Sequence, residues 1–241
     1  MGDPLLSSSP AEGEGFLPSR DGFAFTNTWP PAPGVSIPTP FGTLGIGNSA
    51  RGLCGGMVFA ALDYWHATVP PPPSRPAPGS PLYQFIVRRL IDSWHIPAGV
   101  AEYYQWMNLP DADTAISILG RTLLTHRGLS WRTVAQQWPQ VQASIDTGQP
   151  AVLGLVTVAS ANPANLVYNH QVLAYDYQAA GDQVTVNVYD PNSGPDDGVA
   201  ITFSTADPSA GTTFTHNLNI NRPVRGFFLV GYSPVRPPAG T

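Results

Sequence analysis

Cysteine, histidine and aspartate together can cleave or transfer an acyl group, and this chain carries one cysteine, Cys54, with which to begin. Cys54 stands where the glycine-rich run FGTLGIGNSARGLCGG, residues 41–56, passes into a helical pattern. A thiol at a helix N-terminus feels the positive end of the macrodipole, which favours thiolate over thiol. The next two residues, Gly55 and Gly56, each cost roughly 0.8–1 kcal/mol in helix propensity relative to alanine. That cost is understandable if bare backbone must lie close to a substrate carbonyl, with first-turn N–H groups open to an oxyanion. The ordinary alternative is a core filler, since cysteine is among the most buried residue types.

A base and its orienter come from the later part of the chain. Residues 170–177 and 183–190 flank the short loop Gln178-Ala179-Ala180-Gly181-Asp182 and read as an antiparallel hairpin. Pairing symmetric about Ala180 sets His170 opposite Asp190, Val172 opposite Val188, Ala174 opposite Val186 and Asp176 opposite Val184. Directly opposed side chains have Cβ atoms about 4.5–5.5 Å apart. The carboxylate then fixes the imidazole tautomer and leaves the second ring nitrogen free to take the thiol proton. A bulge would shift the register and make Asn192, in the turn Asp190-Pro191-Asn192-Ser193-Gly194, the next orienter. Two plainer readings compete: Asp190 as the support of that turn, and His170 as a satisfied residue at a strand end. Of the other histidines, His66, His95 and His126 fall near expected helix C-termini, where a cation suits the dipole, and His216 lies in the polar stretch THNLN.

Rival chemistries lack their parts. A zinc site needs three or four ligands at recognisable spacing, and neither C-x-x-C nor H-x-x-x-H occurs. No G-x-S-x-G elbow presents a serine. No metal or cofactor is therefore expected. The net charge of −5 is spread without a basic stripe, which argues against a nucleic-acid partner. No apolar run approaches the ~20 residues of a membrane span. The start MGDPLLSSSPAEGEG has no charged n-region followed by an apolar stretch, and one cysteine allows no internal disulfide. Both agree with a cytoplasmic protein, or with export by a route without a cleavable signal peptide.

The elements that must position these residues follow from pattern. With 42% apolar and 11% charged residues in 241, the chain can bury a large core. Residues 1–18, rich in Ser, Glu, Gly and Pro, read as a disordered tail. Gly22 to Asn27 alternates like a short strand, and a rigid proline-rich stretch follows at 30–40. Leu53, Met57, Ala60, Ala61 and Tyr64 mark the buried face of a helix from Cys54 to about His66. The proline-rich segment 69–81 is an extended surface connector. Helices are expected at about 80–95, at 112–127 closed by Gly128, and at 130–147. In the last of these Ser130 is the expected N-cap, Pro139 the split and Gly148 the stop. The aromatic cluster Tyr103-Tyr104-Gln105-Trp106 reads as core. After Pro150 come strands: the continuous apolar run 151–158, then 169–177, 183–190, 199–204 and the closing run Gly226 to Tyr232. Helices followed by sheet make an α+β fold, with a helical part at about 45–148 and a sheet part at about 150–235.

Taken together, GNSARGLCGGMVFAALDYW, YNHQVLAYDY and VNVYDPNSG resemble the papain-like cysteine peptidase superfamily. Within it they look most like the bacterial peptidases that cleave double-glycine leader peptides. That family has Cys at a helix start, His opening a strand and Asp in a D-P turn after the next strand. The resemblance implies a papain-like domain over residues 19–235, with Cys54 as nucleophile, His170 as base and Asp190 as orienter. It also implies an oxyanion hole from the backbone N–H of Cys54 and the side chain six positions earlier. Where the family has Gln there, this chain has the shorter amide Asn48. Gly-Gly follows the cysteine where papain has an aromatic residue, which argues against a close papain homologue. The expected activity is thiol-dependent hydrolysis of a peptide or amide bond in a peptide or protein substrate. An acyltransferase and a non-catalytic peptide-binding module on the same fold are the alternatives. Nothing in the sequence indicates an oligomeric state.

Overall fold

From Leu53 to Tyr64 the chain offers almost no polar side chain, and a helix apolar all round must be covered on every side. The structure, a computed structural model that describes residues 15–29, 35–39, 42–46, 53–95, 98–118 and 121–238, covers it that way. In chain order the helices are α1 (Pro18–Asp21), α2 (Cys54–His66), α3 (Pro81–Ser93), α4 (Ala98–Met107), α5 (Leu129–Trp131) and α6 (Trp138–Asp146). The strands are β1 (Val35–Thr39), β2 (Gly42–Ile46), β3 (Thr114–Ile118), β4 (Arg121–His126), β5 (Ala151–Val156), β6 (His170–Ala180), β7 (Gln183–Tyr189), β8 (Ala200–Ser204), β9 (Thr215–His216) and β10 (Gly226–Leu229). The architecture is α+β. A six-stranded antiparallel sheet in the order β10-β5-β6-β7-β8-β9 carries helices on both faces. Val152, Val156, Leu173, Tyr189 and Phe228 face a core shared with α2, α3 and α4. Leu153, Leu155, Val172, Ala174, Val186 and Phe227 face a second core closed by Val134, Trp138 and Val141.

The α2–α3 contact explains the glycine pair. A Cβ on Gly56 would lie 2.1 Å from the Ile86 carbonyl oxygen, so α3 approaches the bare backbone of α2. A Cβ on Gly55 would lie 2.3 Å from Gln171 Oε1 and 2.4 Å from Ser93 Oγ. The backbone is bare for packing against α3 and β6, which corrects the expectation of a substrate carbonyl there. Toward the C-terminal end of α2, Asp63 forms a buried pair with Arg89 of α3, with Arg89 Nε 2.7 Å from Asp63 Oδ2. Asp63 Oδ1 also accepts from the Tyr232 hydroxyl and the Val235 N–H, which ties the C-terminal segment to both helices.

Other elements differ from expectation. Residues 114–126 form the hairpin β3–β4 rather than a helix over 112–127. The segment is rich in β-branched Thr and Ile, and strand pairing wins over its helix-compatible apolar spacing. His126 thus ends a strand, and Gly128 precedes α5, where a Cβ would meet the Ala112 carbonyl at 2.4 Å. Ser130 does not cap that helix; its hydroxyl accepts from the Thr212 N–H. Pro139 changes the helix type without breaking the helix. A π-helical stretch, Arg132–Gln137, precedes it, and the Trp138 N–H bonds to the Thr133 carbonyl five residues back. Part of the stretches read as a proline segment and a glycine loop is the hairpin β1–β2. Its Pro38 lies in a two-stranded ribbon, where a missing N–H can fall on the free side. Gly22 to Asn27 is a string of bends that buries Phe23 and Phe25, not a strand. The tail assigned to 1–18 is too long at its end, because Phe16 is buried and Pro18 opens α1. The connector 69–80 has no regular structure and is largely exposed, pinned by Arg75 to Thr26 and Thr28. No helix among the described residues is long and apolar enough to cross a membrane.

Asp63→Ala leaves the Arg89 guanidinium buried with only the exposed Asp92 carboxylate and the Ser233 carbonyl as partners, and should cost about 3 kcal/mol, read by chemical denaturation. Asp63→Leu combined with Arg89→Met should cost much less, because no stranded charge remains.

Candidate functional site

His170 opens β6, and the chain before it is held in place. The short 3-10 helix Pro163–Tyr168 is capped by the Asn162 side chain, which accepts from the Ala164 N–H. Asn169 Oδ1 then accepts from the Thr157 N–H, and the Thr157 hydroxyl donates to the Tyr168 carbonyl. These bonds fasten the entry of β6 to the end of β5. Asp190 follows β7 directly and begins the turn Asp190-Pro191-Asn192-Ser193-Gly194, in which Gly194 adopts φ +78°.

The two side chains meet: His170 Nε2 lies 2.7 Å from Asp190 Oδ1. The register that brings them together is not the expected one. Ala174 pairs with Val188, Tyr177 with Val186 and Ala179 with Val184, with a bulge between Ala174 and Asp176. The hairpin turn shrinks to Gly181 and Asp182, Gly181 at φ +59°. Near the site the pairing is displaced from the expected register by two residues. An even shift keeps each side chain on its face of the sheet. Leu173 pairs with Tyr189 at the end of the ladder, so His170 and Asp190 are diagonal neighbours rather than opposed. The diagonal separation of about 7–8 Å is spanned by a long side chain.

Asp190 is fully buried, and all its partners are donors. Oδ1 accepts from His170 and from the Asn192 N–H at 2.9 Å. Oδ2 accepts from the Asn219 N–H at 3.0 Å and the Ser193 hydroxyl at 3.3 Å. Burial pushes this carboxyl up, but the His170 charge and these bonds outweigh it and hold it below the usual carboxylate range. Asp190 supports its own turn and meets His170 as well, so these two readings are compatible. Asn192, the alternative orienter, is bonded to Asn27, to the Asn219 carbonyl and, through its N–H, to Asp190.

Cys54 begins α2 after Leu53 and is half-buried. With Nε2 of His170 committed to Asp190, Nδ1 is the nitrogen left for the sulfur, and Cys54 and His170 stand close enough for each to act on the other's proton affinity. The Gln171 and Gly55 backbone N–H groups also favour the charged sulfur. Burial pushes the thiol up, yet the His170 charge and these groups pull it below its ordinary range. Burial pushes the imidazole down, but the Asp190 and Cys54 charges raise it to about 10. The charges reinforce one another: thiolate, imidazolium and carboxylate stabilise each other in that order.

Two neighbours were not read from the sequence. Tyr103 of α4 is buried and donates to the His170 carbonyl at 3.4 Å. Gln171, also buried, packs its amide beneath Gly55 and against Tyr103. A polar residue opening the apolar run Val172-Leu173-Ala174 was the available signal for Gln171. Tyr103 lay in the aromatic cluster, which is core as expected, with Tyr103 and Trp106 both buried. Asn48, the expected oxyanion-hole side chain, lies outside the described residues. Among the described residues no group of three or more His, Cys, Asp or Glu is placed to hold a metal ion.

Comparison of the chain with protein-family models, with curated proteins and with solved structures gave no significant match.

Proposed function

We propose that this chain is a thiol hydrolase of papain-like architecture that cleaves a peptide or amide bond. One observation carries the reading: the His170 ring, bonded to the buried Asp190 carboxylate, stands close enough to the Cys54 sulfur to act on its proton affinity. The chain order Cys, His, Asp, a helix that begins at the cysteine, and an antiparallel sheet that supplies the other two residues support the papain-like reading.

In this reading the Cys54 thiolate attacks the substrate carbonyl carbon, forming the C–S bond as the carbonyl electrons move to oxygen. The oxyanion is held by the Cys54 N–H and, by the family resemblance, by the Asn48 amide. The His170 imidazolium gives its proton to the amine nitrogen as the C–N bond breaks, leaving a thioester. Water then attacks the thioester carbon while His170 takes its proton, and the thiolate departs with its electron pair. Asp190 keeps Nε2 protonated and Nδ1 directed at the sulfur throughout. A peptide-binding module without catalysis gives no reason to hold a carboxylate at zero exposure behind an imidazole that meets a sulfur.

An activity-based probe with an acyl warhead should form its adduct on Cys54 in the folded chain, and Cys54→Ala should abolish both labelling and turnover of a peptide library. A thiol that reacts only after denaturation would overturn the reading. Iodoacetamide alkylation followed against pH should rise through a midpoint below the ordinary thiol range. Because His170 keeps its proton up to about 10, the rate should level off above that midpoint and change again near 10. Asp190→Asn removes the counter-charge behind His170. It should move the alkylation midpoint upward and lower turnover by roughly 10²–10⁴, the range of general acid–base catalysis.

A further inference from the structure

Asn27 belongs to neither element that carries the proposed triad, yet it is bonded to both. Its backbone N–H donates to the Pro191 carbonyl at 2.8 Å, and its Nδ2 donates to Asn192 Oδ1 at 3.0 Å. Its Oδ1 accepts from the Leu53 N–H at 2.7 Å and from Trp29 Nε1 at 3.0 Å. The residue is 8% exposed, so water competes little for these bonds.

The partners matter by position. Leu53 immediately precedes Cys54 and is the N-cap residue of α2, whose start has no side-chain cap of its own. Pro191 and Asn192 immediately follow Asp190. The Asn192 N–H donates to Asp190 Oδ1, the same oxygen that receives the His170 Nε2–H. One amide side chain therefore closes a path from the start of the nucleophile's helix to the carboxylate that orients the base.

We infer that Asn27 is a positioning residue for the proposed reaction, setting the separation between the start of α2 and the turn that carries Asp190. The inference rests on the reading of Cys54, His170 and Asp190 as a catalytic series. Its physical basis is the steepness of charge interactions in a water-poor site, where displacement of one partner weakens the ion pair that keeps the thiol ionised. A shift of about 1 Å in such a group costs as much as 10²-fold in rate.

The test compares the pH midpoint of Cys54 alkylation with the melting temperature in three variants. Asn27→Ala keeps the backbone bond to Pro191 but removes both side-chain links and leaves the Leu53 N–H without its acceptor. Its midpoint should move up by about one pH unit, with alkylation slowed about tenfold at pH values below the native midpoint. Asn192→Ala cuts the other end while Leu53 keeps its acceptor. It should move the midpoint in the same direction by less, and it supplies the readout should Asn27→Ala fail to fold. Trp29→Phe removes a bond to the same oxygen without touching either link, and should lower the melting temperature with the midpoint unmoved. Unchanged midpoints in Asn27→Ala and Asn192→Ala, with only the melting temperature lowered, would overturn the inference. So would a shift in Trp29→Phe as large as that in Asn27→Ala. The native midpoint judges the thiolate reading, whereas the differences among variants judge Asn27 whatever that midpoint is.

Discussion

A carboxylate with no exposure to water is the constraint around which the sheet half of this protein is organised. Taking Asp190 out of water costs several kcal/mol after relaxation, and that cost must be met by donors at both oxygens. The donors come from three separate stretches: the start of β6, the turn after β7, and the segment around Asn219. His170 arrives because the antiparallel sheet places the beginning of β6 beside the end of β7, the turn supplies its own donors, and Asn219 comes from the chain just after β9. The fold and the site are thus one solution to the same electrostatic problem. Loss of the His170 partner would leave the carboxylate with dipoles but no counter-charge.

The helix half answers a different requirement, which is to bring a sulfur to that pair and hold it there. A helix buried from Gly55 to Tyr64 has little freedom to slide or rotate, because every face is in contact. The two glycines remove the side chains that would keep α3 and Gln171 at a distance. Their propensity cost is offset by closer packing, and the result is a thiol fixed relative to the sheet. The positive end of the helix and the Gln171 N–H then act on the sulfur from fixed positions.

The candidate site was more legible than the path that builds it. Residue types alone singled out Cys54, and the hairpin between 170 and 190 followed from its turn and its alternating strands. The expected register was two residues out, yet the His170–Asp190 pair was still identified, because an even displacement preserves the face and a histidine reaches diagonally. A displacement of one residue would have sent the two side chains to opposite faces. The segment 114–126 was misread because Thr and Ile at those spacings satisfy helix and strand patterns alike, and the pairing partner decides. The role of Pro139 depended on a change of hydrogen-bond spacing ahead of it, which composition does not reveal. Asn27 had no signal at all. A single amide in a bent segment becomes informative once the chain is folded and its partners, 26 and 165 residues away, are beside it.

Selectivity for the transition state of the proposed reaction must arise at the carbonyl oxygen, where the charge arrives. In the proposed reaction a series of thiolate, imidazolium and carboxylate carries one net negative charge, and attack moves that charge from sulfur to oxygen without adding to it. The N–H groups of Gly55 and Gln171 hold the sulfur before attack and lose value as its charge leaves, so they stabilise the ground state. Acceleration must come from donors that meet the oxygen and not the sulfur. In the proposed chemistry these are the Cys54 N–H and, by the family resemblance, the Asn48 amide. Burial of the thiol works in the same direction. By pushing the thiol up against the pull of His170, it keeps the thiolate from being stabilised so far that its nucleophilicity falls.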